Sequence, residues 1–561
     1  MDRTNHFEKV SIMIGYSGFY DLMAKLVLPI MIGAFLISSA VLVFTQSVMI
    51  GSSVFLVTFS LSILVPLIMY SKIQHSIQSH LHFFITYAGT ISTMKVSRYI
   101  LFKRISQKRS FGEISKLFEK LVYLAKDWNL GFATACRIVA LRTPSHILAD
   151  FFDRTAVVMD FGEDLEEFLG EEQKAVLHDY TVEYQKALNN IKTIEETFIS
   201  LAVSVAFMVG VLMISPMLMD VALEQVMLYT LVATIVMYAF LVFAIMYFIP
   251  PDSLFHHLPD KSVEQKKIRI WFFSMTGLSF FLLLVLMFSS NLSFIMILAI
   301  SVLPMGFPAV AAMAAEETIK RRDNQFPVFM RILGAAVEIR NGGVVSALQA
   351  INMHDFGPLN KLMTNLYRRL RVGSDKYRAW YLFSVESSSN IITNFSKIFL
   401  ESISLGGNAE KIGQIISGNV KHLISLRQMR WHLLMGMRGA FYGTLVGVAG
   451  TLYIVARVSE LMILMLVPGD NADPEMMAFV TGIFPTGAVD FGLVGLYLGL
   501  MVIAHIVASV IAMQLIGGQS FYNSFVDLIV MLWIAAVLSY IAPLLVDIVM
   551  PGVGAGVWGG L

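Results

Sequence analysis

Charged residues are scarce in this chain: Asp, Glu, Lys and Arg together make up 14% of its 561 residues. Soluble globular proteins carry roughly a quarter of their residues as charged side chains, so this scarcity excludes an ordinary soluble enzyme. Hydrophobic residues account for 56%, which excludes a disordered chain. Cys136 is the only cysteine in the sequence, which excludes intramolecular disulfides, cysteine-rich zinc sites and thiol redox pairs.

Sequence motifs for catalysis are missing as well. No Gly-x-x-x-x-Gly-Lys stretch followed by Ser or Thr is present, so the chain is not expected to hydrolyse ATP. His75, His80 and His82 cluster in the sequence without the i, i+4 spacing of helical zinc ligands, and we interpret them as histidines at the level of the lipid headgroups. The sequence therefore predicts no catalytic residue, no cofactor and no metal site. The net charge of +1 does not favour binding to nucleic acid.

Long apolar runs predict an all-α protein that crosses the membrane about nine times, because about 20 apolar residues are needed for each crossing. The runs lie at 25–45, 50–70, 197–217, 227–249, 270–288, 293–312, 436–457, 491–516 and 525–547. Basic residues are absent from 458–561, whereas the loop 458–490 carries acidic residues. Since Lys and Arg concentrate in cytoplasmic loops, we expect the basic segments to be cytoplasmic and this acidic loop to be external.

These spans divide the chain into five segments. They are an N-terminal tail with two spans (1–70), a first soluble domain (71–195), a four-span block with a short cytoplasmic linker at 250–269 (196–312), a second soluble domain (313–434) and the last three spans (435–561). Because an even number of spans separates the two soluble domains, both are expected on the same, cytoplasmic side of the cell membrane.

The two soluble domains align with one another at an offset of about 245 residues. Phe111-Gly112 matches Phe356-Gly357, and Gly162 matches Gly407. Directly after each Phe-Gly pair, apolar residues recur with the i, i+3, i+4, i+7 spacing of an amphipathic helix. We therefore predict two tandem helical bundles, with structural turns at Gly112, Gly162, Gly357 and Gly407.

Charge is distributed unevenly over these two domains. The first contains an acidic stretch, in which the candidate residues are Asp160, Glu163, Asp164, Glu166 and Glu167. The second contains a basic cluster formed by Arg368, Arg369, Arg371, Lys376 and Arg378. Because complementary charge steers docking, we predict that both stretches bind a charged cytoplasmic partner. Attraction to anionic membrane lipid is the competing explanation, in particular for 103–109 and 320–322.

Two other classes of function remain open. His505 is an ionisable residue well inside a predicted span, and such residues mark transport pathways. Asp470 and Asp473 in the external loop would be the acidic pair of a membrane-embedded glycosyltransferase, although Gly469 and Pro474 favour a solvated turn.

Paired cytoplasmic helical domains that are joined to membrane spans, each with a Phe-Gly pair before an amphipathic helix, resemble the type II secretion F domain family. Members are inner-membrane platform proteins of type II secretion and type IV pilus machines. The larger number of spans resembles the archaeal members, above all the platforms of archaella and also those of adhesion pili.

The resemblance implies a protein without catalysis that anchors the base of a filament in the cell membrane. It also implies binding to a cytoplasmic hexameric secretion ATPase, whose ATP-driven motion would be coupled to filament assembly and rotation. Pilin or archaellin filament subunits and membrane lipid are further implied partners, and assembly as a homodimer is expected.

Overall fold

The computed structural model describes residues 19–45, 48–94, 97–214, 223–289, 292–340, 343–466 and 491–550, and these ranges are helical apart from their turns. Within them, one isolated antiparallel bridge joins Phe255 to Ser389. The helices longer than two turns are α1 (Leu28–Thr45), α2 (Val48–Ile91), α3 (Arg98–Ser106), α4 (Glu113–Lys126), α5 (Phe132–Leu141), α6 (His146–Phe161), α7 (Leu165–Ile214), α8 (Leu223–Phe248), α9 (Val263–Ser289), α10 (Phe294–Val302), α11 (Gly306–Ile339), α12 (Val344–Ile351), α13 (Asn360–Arg371), α14 (Lys376–Ser387), α15 (Asn390–Ser404), α16 (Ala409–Leu466), α17 (Phe491–Gly517) and α18 (Ser524–Val549).

Seven membrane-spanning candidates are present among the described residues: α7, α8, α9, the consecutive α10 and α11, α16, α17 and α18. They coincide with seven of the nine predicted spans, which confirms a helical protein with several membrane spans. The two remaining predicted spans, 25–45 and 50–70, fall on α1 and α2. These helices are not among the seven, so the first two spans stay predictions.

Two of the spans belong to helices much longer than a membrane is thick. α7 has 50 residues and α16 has 58, so at 1.5 Å per residue they extend about 75 Å and about 87 Å, against about 30 Å for the hydrocarbon core. Each of them continues without a break from a predicted soluble domain into the span that follows it. α16 continues to Leu466, and the rest of the predicted acidic loop, 467–490, lies outside the described residues.

The chain divides into two compact units, one formed by 1–187, 250–262 and 318–427, and the other by 188–249, 263–317 and 428–561. The first unit contains most of both predicted soluble domains, which pack against each other. Thr90 accepts a hydrogen bond from the Ser402 hydroxyl at 3.0 Å, and the ring centroids of Phe83 and Phe395 lie 5.2 Å apart. The predicted domains thus share one hydrophobic core, and the linker 250–262 belongs to the same unit.

An internal repeat is visible in the first unit. Helices α3 to α7 recur in the same order as α12 to α16, and each set carries a 3₁₀ turn before its second helix. Phe84 and Phe111 make an edge-to-face contact at 6.3 Å, and Phe329 and Phe356, about 245 residues later, make the same contact at 5.7 Å. All four rings are buried. The matching of Phe111 with Phe356 therefore corresponds to equivalent buried positions in the two repeats.

Glycines occupy left-handed backbone at the turns of this repeat, where a Cβ would be strained. Gly112 has φ +58°, Gly357 has φ +56°, and Gly162 has φ +73°. In the last predicted turn the left-handed residue is Gly406, with φ +87°, rather than Gly407. Gly407 is constrained by space instead, since a Cβ there would lie 2.9 Å from Cε of Met94.

The second unit is built from apolar helices joined by a few polar contacts. α8 and α17 pack side by side, and the Tyr238 hydroxyl lies 2.9 Å from Nδ1 of His505. Arg438 forms an ion pair with Asp527 at 2.9 Å, as does Arg457 with Asp547. The buried carboxylate of Asp527 thus has a charged partner, as a low-dielectric environment requires.

A close helix crossing in the first unit gives a stability prediction. A Cβ on Gly334 of α11 would lie 2.5 Å from the carbonyl oxygen of Ala409 and 3.0 Å from Cα of Gly413. Since backbone atoms must shift to admit it, Gly334→Ala should lower the free energy of unfolding by about 1–3 kcal/mol. Gly418→Ala in α16 is the matched control, because no atom lies within 4 Å of its Cβ position. Thermal unfolding in detergent measures both, and equal midpoints would refute the close crossing.

Candidate docking surface

A continuous exposed segment, 371–378, connects α13 to α14. Gly373 adopts φ +84° in this turn, and the Asp375 carboxylate accepts a hydrogen bond from the Arg378 amide at 2.9 Å, which caps α14. We define the basic tip as Arg368, Arg371, Lys376 and Arg378. All four side chains are exposed, and within the described ranges none of them forms an ion pair.

Aromatic and hydroxyl groups hold the side chains of the basic tip. The Arg371 guanidinium lies 6.0 Å from the centroid of the Tyr367 ring, and that of Arg378 lies 5.4 Å from Tyr381. Lys376 donates a hydrogen bond to the Ser404 hydroxyl at 3.1 Å. The tip therefore presents four exposed cationic groups, three of them in contact with neighbouring side chains and none in an ion pair with a carboxylate of the described residues, which suits recognition of an acidic surface.

Arg369, the fifth residue of the predicted basic cluster, is directed inward. Its guanidinium forms an ion pair with Glu386 of α14, and Asn365 donates a hydrogen bond to the same carboxylate at 3.3 Å. Leu362 and Leu366 are buried on this face of α13, and Arg369 follows them at i+7 and i+3. The helical spacing therefore assigns Arg369 to the packed face, and its role is to join α13 to α14.

The predicted acidic stretch forms the turn between α6 and α7. Residues 160–164 are consecutively exposed, and so is Glu167, while Glu166 is half-buried. Asp160 pairs with Arg137, and Asp164 accepts a hydrogen bond from the Glu166 amide at 2.9 Å. Arg98 donates to the backbone carbonyl of Glu163 at 3.4 Å, which leaves the carboxylate of Glu163 available. Within the described residues, no hydrogen bond or ion pair joins this acidic turn to the basic tip.

A buried ion cluster in the first unit was not predicted from the sequence. Arg427 of α16 contacts both carboxylate oxygens of Asp252, at 2.7 and 2.6 Å, and Oδ2 of Asp323 at 3.0 Å. The Ser389 hydroxyl donates to Asp323 at 2.5 Å. Its members are 104 and 175 residues apart in the chain, so no local spacing could have revealed the cluster.

Two histidines of the predicted headgroup cluster pack against the protein: His82 is buried and His80 is half-buried. His82 is 8% exposed, and burial lowers its pKa to about 3, so the imidazole is neutral at physiological pH. His80 lies with Nδ1 2.7 Å from the carbonyl oxygen of Ser76. The interpretation of His82 as a headgroup histidine is therefore wrong. The helix α2 continues well past the predicted span, and His82 lies in the buried part of this continuation.

For the other two classes of function, the described residues include only His505. His505 is fully buried in the second unit, and Phe198 lies 5.5 Å from its ring. Its contacts are those of a packed core histidine. Asp470 and Asp473 lie outside the described residues.

Known proteins resemble this chain in sequence. Residues 84–213 match the family described as type II secretion system (T2SS), protein F. Over 553 residues the chain is 30% identical to the flagella accessory protein J of Methanocaldococcus jannaschii, covering 94% of this chain and 96% of that relative. It is 27% identical over 492 residues to the flagella accessory protein J of Methanococcus voltae, covering 86% and 88%. No solved structure gives a significant match.

The ion cluster gives a second stability prediction. Arg427→Met keeps most of the side-chain volume but removes the guanidinium from Asp252 and Asp323. Breaking a buried pair in this way costs about 3–5 kcal/mol, and the partial exposure of Arg427 reduces this, so we expect a loss of about 2–4 kcal/mol in the free energy of unfolding. Arg371→Met, in the exposed basic tip, should stay within about 0.5 kcal/mol. Denaturant unfolding of both variants compares them, and equal stability would contradict a structural role for the cluster.

Proposed function

Because this chain belongs to the family of flagella accessory protein J and carries a type II secretion system protein F domain, we propose that it is the membrane platform of an archaellum. The observation that carries this proposal is the identity to the relative from Methanocaldococcus jannaschii, which extends over 94% of the chain. The platform anchors the base of the filament in the cell membrane and has no catalytic activity of its own.

Its cytoplasmic partner is a hexameric secretion ATPase, and the basic tip is the principal contact. The tip is exposed, carries four cations without carboxylate partners, and is ordered by Tyr367, Tyr381 and Asp375. Such a surface favours rapid and correctly oriented association with an acidic patch. The acidic turn, with Glu163, Asp164 and Glu167, is the second contact and fits basic residues of the same partner.

Transmission of ATP-driven motion uses the long helices. α7 and α16 each connect residues of the soluble repeat to an apolar span without a break. A displacement of the soluble part of such a helix moves its span as well, because an α-helix is stiff along its axis. Pilin-like or archaellin subunits respond to this motion in the membrane, where lipid surrounds the apolar helices. Two copies of the platform form a homodimer.

Charge reversal tests the docking contact. Arg368→Glu, Arg371→Glu and Arg378→Glu together should reduce co-sedimentation of the ATPase with platform-containing liposomes at least fivefold, because attraction becomes repulsion. Arg369 is left intact, since its loss would disturb Glu386. The control reverses three exposed cations of the first repeat, Lys103, Lys120 and Arg142, and should retain binding. Unchanged sedimentation of the first variant would exclude the basic tip as the contact.

Cysteine labelling tests the side of the membrane. Burial raises the pKa of the Cys136 thiol to about 12, so the native cysteine is unreactive and Cys136→Ser provides a silent background. An impermeant maleimide should label Ala472→Cys, in the predicted external loop, in intact cells. The same reagent should label Asp127→Cys and Ser374→Cys, one in each repeat, only after the cells are permeabilised. Labelling of either repeat in intact cells would contradict a cytoplasmic platform.

A further inference from the structure

A cavity of about 370 Å³ lies inside the first unit, between the turn 107–110 of the first repeat and helices α14 and α15 of the second. Sites for small molecules range from about 300 to 1,000 Å³, so this volume fits a ligand of modest size. The proposed platform function uses Tyr381 of the lining to hold Arg378, but it assigns no role to the cavity itself. Any ligand bound there would touch both repeats at once.

The charge of the lining favours an anion. Lys108, Arg109 and Lys397 line the cavity together with a single carboxylate, Glu401, which gives a net charge of +2. Lys108 neutralises Glu401, since its Nζ lies 2.5 Å from Oε2. Within the described part of the chain, Arg109 and Lys397 form no ion pair, so each has a full positive charge to offer. One comes from each repeat.

The other lining residues supply aromatic surface and a hydroxyl group. Tyr377 is 51% exposed at the rim, and Trp380 and Tyr381 follow it along α14. Ser396 is 1% exposed, and its hydroxyl has no hydrogen-bond partner in the protein. A buried hydroxyl without a partner is costly, so a polar ligand group in the cavity would be favoured at this position.

We propose that this cavity binds a small organic anion that combines a planar ring with a phosphate group, the chemistry of a nucleotide. The ring stacks on the exposed face of Tyr377, as bases stack on aromatic side chains. The phosphate group lies between Arg109 and Lys397, because guanidinium and ammonium groups form charge-assisted hydrogen bonds with phosphate oxygens. The ligand is bound and not hydrolysed, and it fixes the two repeats in one arrangement.

Calorimetric titration of the purified full chain in detergent tests this site, with ATP, adenosine and inorganic phosphate as probes. ATP should bind saturably, one per chain, and at least tenfold more tightly than adenosine or phosphate. Arg109→Ala should weaken ATP binding about tenfold or more, the loss expected for one charged hydrogen-bond donor. Tyr377→Ala should weaken ATP binding about fivefold or more while leaving phosphate binding unchanged.

Lys103→Ala is the matched control, because Lys103 is an exposed cation of α3 that does not line the cavity. It should bind ATP as the unaltered protein does, and thermal unfolding checks that all variants are folded. Absence of saturable ATP binding, equal affinity for ATP and phosphate, or unchanged binding by Arg109→Ala would each overturn the proposal. None of these results depends on recruitment of the ATPase to liposomes, so the platform function is tested separately.

Discussion

The largely buried side chain of Arg427, which is 19% exposed, is the constraint on which the first unit depends. A charge removed from water must be paired, and here two carboxylates from distant segments, Asp252 and Asp323, provide the pairing. Beside them, the amide of His256 donates to Ser388 and that of Asn390 donates to Leu254, at 3.1 and 2.9 Å. The short linker is thereby fixed to the second repeat. A displacement of α16 must either carry the linker with it or separate the ion cluster.

The two repeats keep the same core and differ at their exposed turns. Phe84 with Phe111, and Phe329 with Phe356, occupy equivalent buried positions, where close packing tolerates little change. The turn after α4 exposes Trp128, which is 62% exposed, whereas the corresponding turn after α13 exposes Arg371. Exposed turns are free of packing constraints, so different partners can be recognised on one scaffold. The difference between the repeats therefore lies where a partner would bind.

Local signals were sufficient to predict much of this fold. Apolar length marked seven spans that the structure contains, and helical periodicity marked the amphipathic α4 and α13. The same periodicity, applied to Arg369, would have indicated the packed face of α13, but the prediction grouped Arg369 by charge with its exposed neighbours. Contacts between distant segments, such as Arg427 with Asp252, have no local signal. The alignment of the two domains also placed one turn a residue too late. It matched Gly407 to Gly162, whereas the residue with the left-handed conformation is Gly406.

The geometry of the basic tip favours recognition over tight binding. Arg371 and Arg378 lie against tyrosine rings, and the Asp375 cap fixes the turn, so little side-chain entropy is lost when a partner docks. Exposed charges contribute modestly to affinity in water, but they raise the rate of association and select the orientation. A partner held in this way can bind and dissociate repeatedly. That property suits the proposed role of a platform that follows an ATPase through successive conformational states, whereas a permanent apolar interface would restrict it to one.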